Sequence, residues 1–276
     1  VARSKLKALA LLPALALTAA LTACGEGGGT AAGGVQLVQQ GSLTTCTHLP
    51  YAPFQVKQGD QIVGFDVELV DLVAKKLDVK QNIVDIAFEN IESGESMNSG
   101  QCDLAAAGMT INDKRKEKFD FSDPYFEATQ ALLVKKGSGI NDLSQLAGKK
   151  VGVQSATTGA DYTKEKAPGA EIVTFDDLAL LEQAVKNGSV AAGVNDNGVL
   201  YDFVKTNQDT EVAKEFKTNE FYGIGVKKGN TALLQQINDV LKASVQDKSY
   251  EQIYQKWFGK APTWLPGGPT AAPASK

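Results

Sequence analysis

Apolar residues along this chain recur in two ways. Short unbroken runs suit buried strands, and stripes at three- and four-residue spacing suit helices. Val35 to Cys46 has room for one strand, and Gln58-Gly59-Asp60 marks a turn, read as a hairpin leading into Ile62 and Val63. Leu69, Val70, Val73, Ala74 and Leu77 form one helical stripe, with Asp66 as its N-cap and Phe65 and Val70 spaced as a hydrophobic staple. Ile83 to Phe88 predicts a strand. Asn90 to Ser99 predicts a helix, beside which Glu89, Glu92 and Glu95 read as a solvated face. Leu104 to Ala107 is a further strand-length run. Later strands are expected at Ala131–Val134, Lys150–Val153, Ile172–Phe175, Val190–Val194 and Tyr222–Val226. Helices are expected at Leu143–Gly148, over Leu178, Leu181, Ala184 and Val185 up to Gly188, from Leu233 to Val245, and from Tyr250 to Phe258. Strand alternating with helix indicates α/β units around parallel sheets. No repeat of solenoid length is visible.

The ends differ from this body. Arg3, Lys5 and Lys7 precede an apolar run from Ala8 to Ala20, and Leu21-Thr22-Ala23-Cys24 follows. That is the layout of a secretory signal with a lipoprotein cleavage box, and the run falls short of the roughly 20 residues a spanning helix needs. The expectation is a signal peptide over 1–23, lipidation at Cys24, and anchoring to the membrane from the extracytoplasmic side. Residues 24–34 read as a flexible Gly- and Ala-rich tether, and 267–276 as a disordered Pro-rich tail, with Trp264 and Leu265 folding back on the body. The formal charge is −4, and losing the three cations of the first 23 residues makes it −7. With no basic patch interleaved with aromatics, nucleic acid is not an expected partner.

Candidate chemistry centres on Cys102 to Tyr125. A short strand, then Gly108, then Thr110 and Asn112 as helix N-caps, then Arg115, can build an anion site from free N–H groups and a guanidinium fork. Read locally, the same stretch is a surface turn with a solvated charge run before it is an anion site. Gln154 to Gly159 is a second small, hydroxylated loop ahead of a helix, and Asn195-Asp196-Asn197 ends a strand, where ligands of open α/β sheets bind. With Cys24 assigned to lipid, Cys46 and Cys102 are left, and an even remainder in an exported protein points to a disulfide. His48 is the only histidine, and no Cys/His/carboxylate cluster has metal-ligand spacing. A Ser-His-Asp triad would need His48 as its base, and an enzyme reading would make Glu89, Glu92 and Glu95 an acid/base group with nothing opposing them. No Walker or dinucleotide motif is present, and no metal or cofactor is expected.

Gly64-Phe-Asp-Val-Glu-Leu-Val-Asp-Leu-Val-Ala-Lys-Lys-Leu77 resembles the signature of family 3 extracellular solute-binding proteins, the amino-acid receptors of bacterial ATP-binding cassette importers. Tyr51-Ala-Pro-Phe54, Asp103 with Gly108-Met-Thr-Ile-Asn-Asp-Lys-Arg115, Phe119-Asp-Phe-Ser122 and Tyr254-Gln-Lys-Trp-Phe-Gly259 match in the family's order, from about Val35 to Lys260. The resemblance implies a type II periplasmic-binding-protein fold, α/β, with two lobes, each a mainly parallel sheet flanked by helices, and two hinge crossovers. Lobe 1 would span 35–125 and 225–266, and lobe 2 would span 126–224. It also puts Cys46 and Cys102 on adjacent strands of lobe 1.

The resemblance further implies a zwitterion clamp. Arg115 would pair with the ligand α-carboxylate, helped by Thr110 and Thr158. Asp196 would take the α-ammonium beside the Gly108 carbonyl, and Tyr51 would pack over the ligand backbone. His48, Asn90 and Asn195 depart from the family around the side chain: His48 stands where several relatives carry Asp, and Asn90 where many carry an aromatic. Without an added acid, a polar neutral or acidic L-amino acid, such as glutamine or glutamate, fits better than a cationic one. The expected partners are that amino acid, permease subunits and, through lipid, the membrane; the protein itself is expected to be a monomer. The competing classes are a dehydratase on the same fold and a module for amino-acid sensing alone.

Overall fold

The structure is a computed structural model that describes residues 29–269. The expected signal peptide over 1–23, Cys24, the first part of the expected tether and residues 270–276 lie outside the described residues. Gly29–Thr30, part of the expected tether, pairs antiparallel with Gln36–Leu37, and Ala32–Gly34 makes a 3-10 turn between them.

Two five-stranded sheets carry the fold. In the first, Lys80–Asp85, Ser42–Thr47 and Leu104–Ala105 run parallel, then Gly225–Val226 and Asp120–Phe121 add antiparallel. In the second, Glu171–Phe175, Lys150–Gln154 and Ala192–Asp196 run parallel, then Phe126–Lys135 and Thr210–Tyr222 add antiparallel. Both sheets are therefore mixed, because each closes on a long-range hairpin-like pair rather than another βαβ crossover. The chain enters the second sheet at Phe126 and returns to the first after Tyr222, and these two residues face each other in register.

The helices follow from their apolar stripes. Phe65–Lys76, Thr231–Gln246 and Ser249–Phe258 pack together beside the first sheet. Thr158–Lys166, Leu178–Asn187 and Asn197–Thr206 cover the second. The N-cap of Phe65–Lys76 is Gly64, not Asp66. Gly64 sits at φ +151°, and a Cβ there would lie 2.0 Å from the Phe54 carbonyl oxygen, so only glycine fits. Asp66 is instead buried inside the first turn, and its carboxylate is spent on tertiary partners described below. The hairpin around Gly59 forms, with Val56–Gln58 paired to Gln61–Val63.

Several elements differ from expectation, among them Tyr222–Val226, which is not one strand: Tyr222 ends a strand of the second sheet and Gly225–Val226 pairs in the first. Asn90–Ser99 is not one helix: Phe88–Glu92 and Glu95–Asn98 are separated by Gly94 in the left-handed region, φ +76°. Helix Asn197–Thr206 and strand Thr210–Tyr222 were not anticipated. The strand's alternation is broken by register shifts at Val212/Lys214 and Phe216/Glu220, which blurs a period of two. Cys46 and Cys102 are bonded, with Cα atoms 5.7 Å apart. Cys46 lies in its strand as expected, but Cys102 stands just ahead of Leu104–Ala105 rather than in it.

Candidate functional site

The first sheet delivers one half of a cleft. Leu104–Ala105 runs out into Ala106–Thr110, and Gly108 turns the chain at φ +55°. A Cβ on Gly108 would lie 2.7 Å from Tyr51 Cε1, so glycine lets the tyrosine ring close over the backbone. The Gly108 N–H donates to Asp66 Oδ2 at 2.8 Å, and the Tyr125 hydroxyl donates to the same oxygen at 2.9 Å. Burial pushes the Asp66 carboxyl up to about 7, against the pull of those two bonds.

Asn112 caps the one-turn helix Asp113–Lys116, accepting from the Arg115 N–H at 2.9 Å. The cap points the Arg115 side chain inward, where it is 2 % exposed. Its Nη1 donates to the Thr110 carbonyl (2.9 Å) and its Nη2 crosses to the Ala156 carbonyl (3.0 Å). Ala156 holds φ +57°, a left-handed conformation uncommon for a non-glycine residue. The guanidinium carbon lies 5.4 Å from the Phe88 ring centroid. Arg115 Nε has no hydrogen bond and stands 3.9 Å from Glu92. Burial lowers the Arg115 pKa, and Glu92 foremost, then Asp196, oppose that shift. Glu92 is thus no part of a solvated face: it pairs with Lys114 at 3.1 Å and borders the arginine.

The second sheet delivers the other half. Asp196 ends the strand Ala192–Asp196, opposite Gln130 in the antiparallel neighbour. Its carboxylate accepts from Gln130 Nε2 (2.5 Å), from the Tyr51 hydroxyl (2.9 Å) and from the Tyr222 hydroxyl. Burial first, then the Glu220 charge, raises the Asp196 pKa to about 7. Thr157 caps helix Thr158–Lys166, and the Thr158 hydroxyl lies 3.4 Å from that of Thr110 across the cleft. Glu220 Oε2 accepts from both hydroxyls, at 3.0 Å and 3.2 Å, and from Gln130 at 3.0 Å.

These groups surround a small cavity between the two sheets. Of the residues singled out from sequence, His48, Tyr51, Gly108, Thr110, Arg115, Thr158 and Asp196 line it. Asn195 is not among the lining residues: it is buried, accepts from Tyr51 at 2.9 Å and donates to Gln154 at 3.1 Å. Asn90 is exposed and outside the lining, and Phe88 stands there instead. His48 bridges the mouth, with Nδ1 2.9 Å from the Ile86 carbonyl and Nε2 3.0 Å from Asp177 Oδ1, the latter without hydrogen-bond alignment. Gln154, which opens the loop to Gly159 singled out from sequence, also lines it, whereas Gln55 and Phe88 in the lining, and Gln130 and Glu220 behind it, escaped the sequence reading. Among the described residues, no group of three or more His, Cys, Asp or Glu side chains is placed to hold a metal ion, and no helix is long and apolar enough to cross a membrane.

Opposite charges held on facing sheets around one cavity suit a small zwitterion. The profile of bacterial extracellular solute-binding proteins, family 3, matches residues 43–260, and the chain belongs to that family. The ABC transporter glutamine-binding protein of Bacillus subtilis (strain 168) is 37% identical over 206 residues, covering 73% of this chain and 75% of the relative. The arginine-binding extracellular protein of the same organism is 34% identical over 256 residues, covering 91% and 98%. An ancestral arginine-binding protein, solved bound to arginine, superposes with a TM-score of 0.76 at 42% identity, over 80% of this chain and 99% of that one. The fold is accordingly the two-lobed α/β fold of type II periplasmic amino-acid-binding proteins, and the curated relatives are binding proteins of transport systems.

Proposed function

We propose that this protein captures a polar L-amino acid of the glutamine or glutamate kind by closing its two lobes, and delivers it to an ATP-binding cassette permease. The observation that carries this is the convergence of Arg115 and Asp196 from different sheets on one cavity. A zwitterion answers both charges at once, and each buried charge needs such an answer. Arg115, with Thr110 and Thr158, takes the α-carboxylate. Asp196 and the Gly108 carbonyl take the α-ammonium. Tyr51 covers the ligand backbone, and His48 borders its side chain. The lobes are 35–125 with 225–266, and 126–224. The chain works as a monomer, held outside the cytoplasmic membrane by lipid on Cys24, for which the Leu21-Thr22-Ala23-Cys24 box is the support.

A cationic amino acid is the second reading, favoured by Asp177 beside His48 at the cleft mouth and by the relatives named for arginine. A thermal-shift screen against the L-amino acids separates the two, because a ligand that binds only the folded state raises the midpoint. Glutamine or glutamate should raise it and lysine and arginine should not. A large shift with arginine alone would move the assignment to the second reading, and no shift with any amino acid would end both.

A further inference from the structure

Gln55 stands where the cleft meets the turn that carries Tyr51. The two residues exchange backbone bonds, Tyr51 N–H to Gln55 O at 2.8 Å and Gln55 N–H to Tyr51 O at 3.1 Å. The turn thereby ties the Gln55 position to the ring that covers the cleft. Gln55 is 1 % exposed. Its Nε2 donates to the His48 carbonyl at 3.3 Å, which fixes the amide's orientation. Its Oε1 is then a buried acceptor with no hydrogen-bond partner among the described residues. Such an atom carries the full cost of desolvation until a donor reaches it.

Gln154 lines the same cavity from the other sheet. Its Oε1 accepts from Asn195 at 3.1 Å, so its Nε2 is the donor end. That nitrogen has two hydrogens and makes one long bond, to the Asp176 carbonyl at 3.4 Å. Around the cavity, therefore, the wall offers one acceptor from Gln55 and one donor from Gln154. His48 Nδ1 faces the Ile86 carbonyl, and its Nε2, without a hydrogen bond, lies 3.0 Å from Asp177.

We propose that Gln55 is the residue that selects the ligand's side chain: its Oε1 accepts from an N–H at the end of that side chain, and with Gln154 donating it selects a primary amide. A carboxylate of the same length brings no donor to Gln55 and sets its negative charge against Oε1. An ammonium answers Gln55 but leaves Gln154 unanswered, and its charge meets no carboxylate on these two residues. This assignment rests on the amino-acid-receptor reading and narrows it.

The test is calorimetry on the full chain with L-glutamine, L-glutamate, L-lysine and L-alanine, using wild type, Gln55→Leu and Gln55→Glu. Wild type should bind glutamine at least about tenfold tighter than glutamate or lysine. Gln55→Leu should lose about tenfold to hundredfold for glutamine, with alanine, which has no side-chain polar group, unchanged. Gln55→Glu keeps an acceptor, so it should retain glutamine and gain lysine. That pattern also separates selection from misfolding, because a damaged fold weakens every ligand. If wild type binds glutamate as tightly as glutamine, or if Gln55→Leu weakens alanine and glutamine equally, the Gln55 assignment falls while the receptor reading stands. If no amino acid binds wild type, the receptor reading itself falls, and the Gln55 assignment falls with it.

Discussion

At the scale of single residues, Asp196 holds the most informative chemistry. It is buried, and burial together with Glu220 raises its pKa to about 7. An α-ammonium is attracted only to the ionised form. Below pH 7 a growing fraction of the protein must first give up a proton before it can bind. Affinity should therefore fall as the pH drops below about 7, approaching tenfold per unit, and binding near neutral pH should release a proton. Calorimetry in buffers of different ionisation enthalpy measures that release directly; a pH-independent affinity between 5 and 8 would remove Asp196 from the clamp. Asp196→Asn should cost about 2–5 kcal/mol of binding, the range for breaking a buried charge pair. Alanine is the poorer test, since it would also strand the Tyr51, Tyr222 and Gln130 donors that the carboxylate now answers. What the sequence made legible here was local. Gly108, Thr110 and Arg115 fall within one short stretch, so their joint presence in the cleft follows from strand, turn and cap. Gln55, Gln130 and Glu220 come from distant positions, and nothing in their neighbours' pattern marks them. Asn90 shows how fine the phase must be. It lies two residues beyond Phe88, about 200° around a helix of 3.6 residues per turn, so one faces the cleft and the other water. Glu92, four residues from Phe88, returns to the cleft side and meets Arg115.

At the scale of elements, the parallel strands and amphipathic helices were readable because their periods are clean. Strand Thr210–Tyr222 was not, because it is an edge strand whose outward positions are charged and whose register slips twice. Its value to the site lies in its end, which brings Glu220 and Tyr222 to Asp196. The disulfide acts at this scale too. It joins Ser42–Thr47 to the segment leading into Leu104–Ala105, residues 56 apart in sequence. A loop of that size, closed in the unfolded chain, is worth about 4 kcal/mol by chain entropy. The bridge also ties the strand before His48 and Tyr51 to the strand that leads into Gly108. Cys46→Ser with Cys102→Ser should lower the unfolding free energy by an amount of that order, with cleft affinity reduced less than stability. An unchanged midpoint under reducing conditions would mean that the bond contributes nothing to the fold.

At the scale of the whole molecule, the proposed closure would be a balance between contacts made across the cleft and the bending of two crossovers. The contacts across it are specific: Tyr51 to Asp196 and Asn195, Thr110 to Thr158, Arg115 to the Ala156 carbonyl, and His48 to Asp177. The crossovers leave the sheets beside Phe126 and Tyr222, whose rings stack 5.3 Å apart and pack against Phe54, 4.9 Å and 5.2 Å away. A core so close to both crossovers should confine bending to the backbone beyond the rings, because packed rings resist sliding. A ligand shifts the balance only by its difference in affinity between open and closed forms. A zwitterion held by Arg115 on one side and Asp196 on the other has that difference, since the open form offers each end a single partner. Moving a population from mostly open to mostly closed takes about 5.5 kcal/mol, which one buried charge pair plus the hydroxyl bonds can supply. Solution scattering should therefore show wild type compacting with its amino acid. Asp196→Asn and Arg115→Ala should stay at the larger radius at the same ligand concentration, because each retains only one half of the clamp. Tyr51→Phe separates the protein's own bridge from the ligand's. It removes the hydroxyl bonds to Asp196 and Asn195 but keeps the ring over the cleft, so it should open the unliganded form further while still closing with ligand. If Tyr51→Phe failed to close, the hydroxyl rather than the ligand would be the main link between the lobes, and the clamp would be secondary to it.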